Sequence, residues 1–464
     1  MVENNQFIHS SPINPRWKNT ITYDSSESIE KKYTVLKNGL RAWSEKTYHQ
    51  RAKSLLDLSE ILIENKQELI DLVCLETGKL KNLSEAEFES AIRTLRLLTA
   101  YEFLPSGRIL PSVDQRRLVF EERSPLGIAL LIFPSNAPLP NFLGKIAPAL
   151  MAGNVVLAKP SPYTAVIFSR LLEFMRKAGF EEDVIQRIDG EALVVTKILE
   201  LGVDLISFTG STTTGKEILK MSSFSMPKVI LECGGVNSFI VLPDANFDEC
   251  IKAFCDSAFS NTGQRCVAAK RALVHQEIAD DFQTAVINHM SSTKFGADDD
   301  AQIGPMCSPQ YVERLSKFVG ERNDAFEYIS LGYPGIENEF TYQPKLLIEK
   351  PTGKRAPIEE MYGPVSVLST FKSSNEALEI ANSSDFRLTT AVWTQNIREM
   401  NYFKRKLWYG VINFNGPTHG SELNFPFGGY GMSGNGVKDS GYESIREYST
   451  TKVVSMFEGR DFHG

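Results

Sequence analysis

Residues 126–235 alternate short apolar strands with helical segments, and this pattern limits the folds open to the chain. The strands are predicted at residues 127–133, 155–158, 205–208 and 228–231. Because most of their positions are apolar, these strands must be buried on both faces. Helical crossovers join neighbouring strands that run in the same direction. We therefore predict a parallel sheet covered by helices, which places the chain in the α/β fold class.

The chain has 464 residues, too many for a single hydrophobic core, so two or three domains are expected. Residues 27–101 are predicted to be mainly helical, and the turn-rich residues 103–124 are predicted to form a projecting hairpin. Residues 236–434 repeat the α/β pattern. Their candidate strands are 238–242, 271–274 and 365–368. The β-prone tail, 450–456, is expected to add to another sheet, in this chain or in a partner subunit.

Composition and charge exclude several classes of protein. The net charge of −7 gives no electrostatic basis for binding nucleic acid, which needs a basic face. Residues 1–6 are polar, unlike a secretory signal, and no apolar run approaches the ~20 residues that span a bilayer. The six cysteines contain no C-x-x-C pair and the six histidines no H-x-x-x-H. We expect a cytoplasmic protein with reduced thiols, no metal site and no membrane partner.

Cys266 and Glu232 are candidates for a divided reaction. Cys266 ends the segment Asn-Thr-Gly-Gln-Arg-Cys, and Glu232 lies in Leu-Glu-Cys-Gly-Gly. A thiolate can attack an electrophilic carbon to form a covalent intermediate, and a carboxylate can activate the water that releases it. A single cysteine is more often a small buried hydrophobe. The further segments around the pair favour the catalytic interpretation.

A glycine-rich segment, residues 208–217, opens a helix directly after a predicted strand. The free N–H groups and dipole of such a helix end bind anions. The segment resembles a nucleotide-binding P-loop except that Glu217 stands where that motif has a magnesium-binding hydroxyl. An ATPase is therefore disfavoured. A plain capped helix is more credible than an ATPase site, and a site for a dinucleotide pyrophosphate is the preferred interpretation.

Three other segments place polar side chains where a ligand of a parallel sheet would bind. Asn136 follows the first strand and could donate to an oxyanion or cap the next helix. Lys159 ends the second strand, followed by Pro160 and Ser161, and could reach a ribose or remain solvated. The segment containing Glu360 and Tyr362 could meet a ribose and a nicotinamide, or form an acidic loop.

Taken in order, seven segments resemble the aldehyde dehydrogenase superfamily over nearly the whole chain. They are Phe-Pro-Ser-Asn at 133–136, Lys-Pro-Ser at 159–161, Phe-Thr-Gly-Ser-Thr at 208–212 with Gly215, Leu-Glu-Cys-Gly-Gly at 231–235, Gly-Gln-Arg-Cys at 263–266, Glu-Met-Tyr-Gly-Pro at 360–364, and Pro-Phe-Gly-Gly at 426–429 with Ser-Gly at 433–434. The resemblance implies oxidation of an aldehyde, with NADP⁺ or NAD⁺ as cofactor, to a carboxylic acid through a cysteine thiohemiacetal and a thioester.

The resemblance also implies a role for each residue. Cys266 is expected to be the nucleophile and Glu232 the general base, with Asn136 in the oxyanion hole. The residues expected to bind the cofactor are Lys159, Ser161, Gly210, Ser211, Gly215, Glu360 and Tyr362. The implied fold has a Rossmann-like cofactor domain, an α/β catalytic domain and a small β oligomerisation arm in a homodimer or homotetramer. The expected boundaries are 1–106 with 126–235 for the cofactor domain, 236–436 for the catalytic domain, and 107–125 with 437–464 for the oligomerisation arm.

The sequence departs from the usual family pattern in the cofactor region and near the nucleophile. Pro162 stands where members that prefer NAD⁺ often carry Glu, so NADP⁺ is expected to be used at least as well as NAD⁺. Ser135 and Cys233 replace apolar residues and put the pocket shape in doubt. Arg265 resembles members that act on semialdehydes with a second anionic group, but a structural ion pair is also open, and slightly favoured. A catalytically silent, cofactor-binding or structural family member is the alternative function, disfavoured by the intact Cys266, Glu232 and Asn136.

Overall fold

The computed structural model describes residues 5–322, 324–350, 359–420, 422–441 and 444–457. The polar residues 1–4 and the end of the predicted arm, 458–464, lie outside the described residues.

The N-terminal part of the chain is a short hairpin followed by four helices and the beginning of a projecting sheet. Its elements are β1 (Gln6–Ser10), β2 (Lys18–Thr22), α1 (Ser26–Ser44), α2 (Tyr48–Glu64), α3 (Lys66–Thr77), α4 (Lys81–Thr99), β3 (Gly107–Leu110) and β4 (Arg117–Pro125). Side-chain caps fix two helix starts: Ser25 caps α1, and Thr47 with Gln50 forms a capping box at α2. The helices confirm the helical prediction, whereas the β1–β2 hairpin was not predicted.

A five-stranded parallel sheet follows, as predicted. Its elements are β5 (Ile128–Ile132), α5 (Pro138–Met151), β6 (Val155–Lys159), α6 (Ala165–Lys177), β7 (Ile185–Arg187), α7 (Ala192–Leu201), β8 (Leu205–Thr209), α8 (Thr212–Ser222) and β9 (Lys228–Glu232). The strand order is β7-β6-β5-β8-β9, and every neighbouring pair is parallel. All residues of β5 and β6 are buried, because helices cover both faces of these strands.

A second sheet of seven strands is built from the following part of the chain. The elements are β10 (Asn237–Val241), α9 (Phe247–Phe259), β11 (Ala269–His275), α10 (Ala279–Ser291), β12 (Lys294–Phe295), α11 (Pro309–Gly320), β13 (Phe326–Ser330), β14 (Tyr333–Pro334), β15 (Lys345–Glu349), β16 (Val365–Phe371), α12 (Ser374–Asn382), β17 (Phe386–Arg387), β18 (Thr389–Trp393), α13 (Ile397–Lys406), β19 (Val411–Phe414), β20 (Tyr430–Gly431), α14 (Ser444–Glu447) and β21 (Ser449–Phe457). The order is β13-β15-β16-β11-β10-β18-β19, parallel except for β13.

The projecting sheet has three antiparallel strands in the order β21-β4-β3. The predicted tail strand therefore adds to the predicted hairpin within the same chain. Most of β21 is exposed, including Val453, Met456 and Phe457, and Ile109 of β3 is exposed too. This sheet thus presents apolar side chains to solvent at a distance from the two larger cores.

Candidate active site

A cavity of about 1200 Å³ lies at the carboxyl ends of the first parallel sheet and extends to the loop that carries Cys266. The predicted site residues that line it are Asn136, Lys159, Ser161, Gly210, Ser211, Cys266, Glu360 and Tyr362. Glu232 and Gly215 do not line it. The fold therefore brings residues from five separate segments of the sequence to one surface. No cluster of three metal-ligating side chains occurs in the described ranges.

The turn before Cys266 has an unusual backbone. Asn261 and Thr262 have φ angles of 51° and 56°, and Gly263 follows at 61°. The left-handed region is costly for a β-branched residue, by roughly 1–3 kcal/mol. The Thr262 hydroxyl donates to Gly304 O at 2.8 Å, and Gln264 Oε1 accepts from the Cys307 N–H at 2.9 Å. These bonds hold a strained turn that directs Cys266 into the cavity.

The Cys266 thiol lies in a surrounding that disfavours its ionised form. Burial, followed by the nearby carboxylates of Glu232 and Glu360, raises the pKa of the thiol to about 12. Its own backbone N–H and that of Val267 act in the opposite direction. The Asn237 amide donates to Cys266 O at 2.7 Å and to Ala268 O at 2.8 Å. No sequence motif indicates Asn237, whose two hydrogen bonds fix the backbone from Cys266 to Ala268.

Glu232 is the last residue of β9 and is buried behind the cavity surface. Burial and the negative charge of Asp439 raise the pKa of its carboxyl well above the usual value. No described residue is a hydrogen-bond partner of Glu232 Oε1, although that atom is buried. A side chain at Gly428 would collide with the Glu232 carboxylate, so the glycine-rich loop at 426–434 serves to accommodate it. A buried carboxylate with an unsatisfied oxygen and a raised pKa is suited to accepting a proton.

A buried polar network adjoins Glu232. The Lys145 ammonium pairs with Asp439 and donates to the Ser207 hydroxyl at 2.6 Å. The Tyr448 hydroxyl donates to the other Asp439 oxygen at 2.6 Å. These residues come from α5, β8 and the C-terminal part of the chain. Their distance in sequence explains why no local motif signalled them.

Asn136 lies in the loop between β5 and α5. Its side-chain oxygen is buried and has no hydrogen-bond partner among the described residues. Lys79 donates to the Asn136 backbone carbonyl at 2.7 Å and pairs with Glu87. Glu87 in turn accepts from the Leu139 N–H at 2.9 Å, near the start of α5. Lys79 and Glu87 thus hold the backbone around Asn136, and the Asn136 side chain does not cap the helix.

Lys159 and the start of α8 form the other end of the cavity. Lys159 ends β6, and burial lowers its pKa. Ser211 caps α8 by accepting from the Thr214 N–H at 3.2 Å, and it lines the cavity beside Gly210. Gly215 lies inside the first turn, where a Cβ would approach Cys233 Sγ at 2.9 Å, so it contributes close packing. The open helix end fits a dinucleotide pyrophosphate.

The P-loop interpretation finds no support at this helix. Glu217, the residue that breaks the motif, is exposed and pairs with Lys220 at 2.6 Å. It does not line the cavity.

Glu360 and Tyr362 approach the cavity from the loop before β16. Burial raises the pKa of Glu360 to about 7, opposed by the charge of Lys270 and by a hydrogen bond from the Gly235 N–H. Lys270 is only 1% exposed and donates to Gly263 O at 2.9 Å and to Gly363 O at 2.7 Å. One ammonium therefore connects the nucleophile loop with the Glu360 loop. No local motif indicates this role for Lys270.

Arg265 lines the same cavity immediately before the nucleophile. It makes no ion pair within 4 Å in the described part of the chain. Asp256, whose charge acts on Arg265, is itself hydrogen-bonded to His419 at 2.7 Å. A structural ion pair, the slightly favoured interpretation of Arg265, is therefore not found among the described residues.

Known proteins resemble this chain over most of its length. Residues 2–454 match the model of the aldehyde dehydrogenase family. The chain is 30% identical to the D-glyceraldehyde dehydrogenase (NADP(+)) of Picrophilus torridus, over 90% of this chain and 86% of that protein. It is 30% identical to the alpha-ketoglutaric semialdehyde dehydrogenase of Bacillus subtilis, over 93% and 90%. The crystal structure of betaine aldehyde dehydrogenase from Staphylococcus aureus in complex with NAD⁺ superimposes with a TM-score of 0.93 at 26% identity, covering 100% of this chain and 94% of that one. The chain belongs to the aldehyde dehydrogenase family.

Proposed function

We propose that Cys266, Glu232 and Asn136 carry out the NAD(P)-dependent oxidation of an aldehyde to a carboxylic acid, the reaction of this enzyme family. The observation that supports these roles most is a cysteine at the cavity surface with a buried, proton-accepting carboxylate beside it. Nothing in the set has been lost, which disfavours a silent family member. The enzyme uses NAD⁺ or NADP⁺ as the hydride acceptor.

The first step assigned to the protein is attack by the Cys266 thiolate on the aldehyde carbon, forming a thiohemiacetal. The thiol must lose its proton against a raised pKa, and the N–H groups of Cys266 and Val267 stabilise the resulting thiolate. The Asn136 amide and the Cys266 N–H are assigned to the oxygen that becomes negatively charged. Donors of this kind stabilise a developing oxyanion by several kcal/mol, roughly 3–4 for a single donor.

Loss of hydride to the cofactor leaves a thioester on Cys266, and Glu232 is assigned to its hydrolysis. The raised pKa of Glu232 makes it a stronger base than an exposed carboxylate. It removes a proton from water, the water attacks the thioester carbonyl, and the carboxylic acid leaves as the thiolate is regenerated.

The cofactor is assigned to the part of the cavity between α8 and Glu360. Gly210 and Ser211 would hold the pyrophosphate at the start of α8, with Gly215 packed behind them. Lys159, Ser161 and Glu360 would bind ribose hydroxyls, and Tyr362 would border the nicotinamide.

The experiment that tests this proposal is Cys266→Ala. Turnover of aldehydes should be lost, whereas binding of the reduced cofactor, followed by its fluorescence, should stay near the wild-type value. Residual activity within tenfold of the wild type would remove Cys266 from the mechanism.

We further propose that the aldehyde carries a second, anionic group. Arg265 supports this substrate class, since it is a cation at the cavity surface without an ion-pair partner in the described residues. A carboxylate is the natural partner of a guanidinium. An initial-rate screen of aliphatic, aromatic and carboxylated aldehydes with both cofactors would identify the class.

The larger assembly is also a proposal. Residues 1–106 with 126–235 are assigned to the cofactor domain, 236–436 to the catalytic domain, and 107–125 with 437–464 to the oligomerisation arm. The exposed apolar side chains of the three-stranded sheet support a homodimer or homotetramer. The six cysteines are all unpaired, which suits a cytoplasmic location. Within the described ranges, no helix combines the length and apolar character needed to cross a membrane.

A further inference from the structure

The charge of Glu191, an acidic side chain outside the cavity lining, acts on Lys159, although position 162 is a proline. In parallel sheets of this kind, an acid after the second strand usually accepts from the cofactor ribose. Here the second strand, β6, ends in Lys159, and the nearby position 162 is proline. Glu191 instead comes from the loop after β7. Its charge and that of Asp189 both act on Lys159.

The backbone explains how Glu191 comes to lie there. Ala158 pairs with Arg187 in the sheet, and the Ile188 N–H donates to Ala158 O at 2.9 Å. The segment after β7 therefore runs alongside the end of β6. Glu191 directly precedes α7 and is exposed.

The N-terminal hairpin fixes the position of this loop. Asp24 and Asp189 are joined twice: the Asp24 N–H donates to Asp189 O at 2.9 Å, and the Asp189 N–H donates to Asp24 Oδ2 at 2.8 Å. Next to this link, the Tyr23 hydroxyl donates to Glu191 Oε1 at 3.0 Å. The pKa of Tyr23 is raised to about 12, so its hydroxyl stays protonated and remains a donor.

The two acids differ in their charged partners: Asp189 is ion-paired with Arg187, whereas Glu191 acts on the charge of Lys159 without a direct ion pair among the described residues. Asp189 makes a bidentate pair with Arg187, at 2.7 and 2.8 Å. Glu191 has no ion pair within 4 Å in the part of the chain that the structure describes. The Tyr23 hydroxyl that donates to Glu191 is neutral.

We propose that Glu191, held by Tyr23, is a cofactor-selecting residue that disfavours a 2′-phosphate on the adenosine ribose and favours a free 2′-hydroxyl. A carboxylate repels the phosphate of NADP⁺ and accepts a hydrogen bond from the hydroxyl of NAD⁺. This inference rests on the proposed cofactor site at Lys159. It also corrects the premise behind the expected use of NADP⁺, since position 162 is not the only source of an acid near Lys159.

The test compares Glu191→Gln with the wild type by two readouts. Dissociation constants for NADPH and NADH, from fluorescence titration, should show NADPH binding tightened by about tenfold and NADH binding unchanged or weakened. The ratio of kcat/KM for NADP⁺ to that for NAD⁺ should rise by a similar factor. Tyr23→Phe should move both readouts in the same direction by roughly threefold, since the carboxylate loses its tether but keeps its charge.

The matched control is Glu200→Gln, which removes an exposed carboxylate from the far end of α7 and should leave both readouts unchanged. If the ratio of kcat/KM for NADP⁺ to that for NAD⁺ in Glu191→Gln lay within twofold of the wild-type ratio, the proposal would be overturned. If both readouts were unchanged in Tyr23→Phe, the role of Tyr23 in holding Glu191 would be overturned. If the wild type oxidised no aldehyde, the proposed reaction would fail, but the titrations would still decide the role of Glu191.

Discussion

Glu232 has two opposite effects at the scale of single residues, and the two can be separated. Its negative charge raises the pKa of the Cys266 thiol, while in the proposed mechanism its basicity serves the hydrolysis of the thioester. Replacing it with a neutral amide should therefore help the thiol to ionise and hinder the second half of the reaction.

Glu232→Gln should still produce a burst of about one equivalent of reduced cofactor per active site. Steady turnover should fall by on the order of 10²-fold or more, the usual scale for loss of a general base. In the wild type, steady turnover should increase with pH as Glu232 ionises through its raised pKa, and this increase should be absent from the variant. Stopped-flow absorbance of the reduced nicotinamide measures both phases. If the burst and the steady rate fell together, Glu232 would act before the thioester forms.

Arg265 gives a prediction about substrate choice. Arg265→Met should lower kcat/KM for a carboxylated aldehyde by about 10–100-fold, because a charge-assisted contact is lost, with a much smaller effect on an uncharged aldehyde of similar length. Arg265→Lys keeps the charge but not the bidentate geometry of the guanidinium. Its kcat/KM for the carboxylated aldehyde should therefore lie between those of the wild type and Arg265→Met. Equal losses for charged and uncharged aldehydes would point to a disturbed Cys266 instead.

At the scale of elements, β11 supports two functional loops through one side chain. Lys270 is the second residue of β11, and its ammonium joins the loops of Cys266 and Glu360. Lys270→Met would leave two buried carbonyls without this donor, so stability should fall by about 1–3 kcal/mol. Turnover should fall by roughly tenfold or more, because the thiol would no longer be fixed relative to the cofactor side.

Urea unfolding and initial rates would measure these effects. Lys252→Met, on the exposed side of α9, is the control for loss of a lysine charge and should change neither quantity. Wild-type turnover in Lys270→Met would show that the two loops are positioned by other contacts.

The elements themselves were predictable where the pattern was local. The apolar runs at β5, β6, β8 and β9 predicted the parallel sheet, because burial on both faces leaves a continuous signal. The β1–β2 hairpin, whose strands each have only one buried residue, leaves a weak signal. Motifs likewise predicted roles for Cys266, Glu232 and Asn136, whereas no local motif pointed to Lys145, Lys270 or Glu191, whose contacts are with residues distant in sequence.

At the scale of the whole molecule, the three-stranded sheet is the surface assigned to subunit assembly. Val453 is 59% exposed in β21, where it pairs with Glu121 of β4. Val453→Lys should weaken the homo-oligomer, because a charge would have to be buried between subunits. Light scattering after size exclusion would measure the mass. Val453→Thr keeps the β-branched shape and should retain the assembly. An unchanged mass for Val453→Lys would show that the subunit interface lies on another surface.

The pairing of β21 with β4 also has a consequence for biosynthesis. Arg117 and Ser455, joined by a hydrogen bond, are 338 residues apart, so β21 leaves the ribosome well after β4. Until then β4 has an open edge, of the kind that recruits other chains. A polypeptide released early would keep that edge and could not complete the arm. Subunit assembly through the arm would then require that translation has passed residue 457.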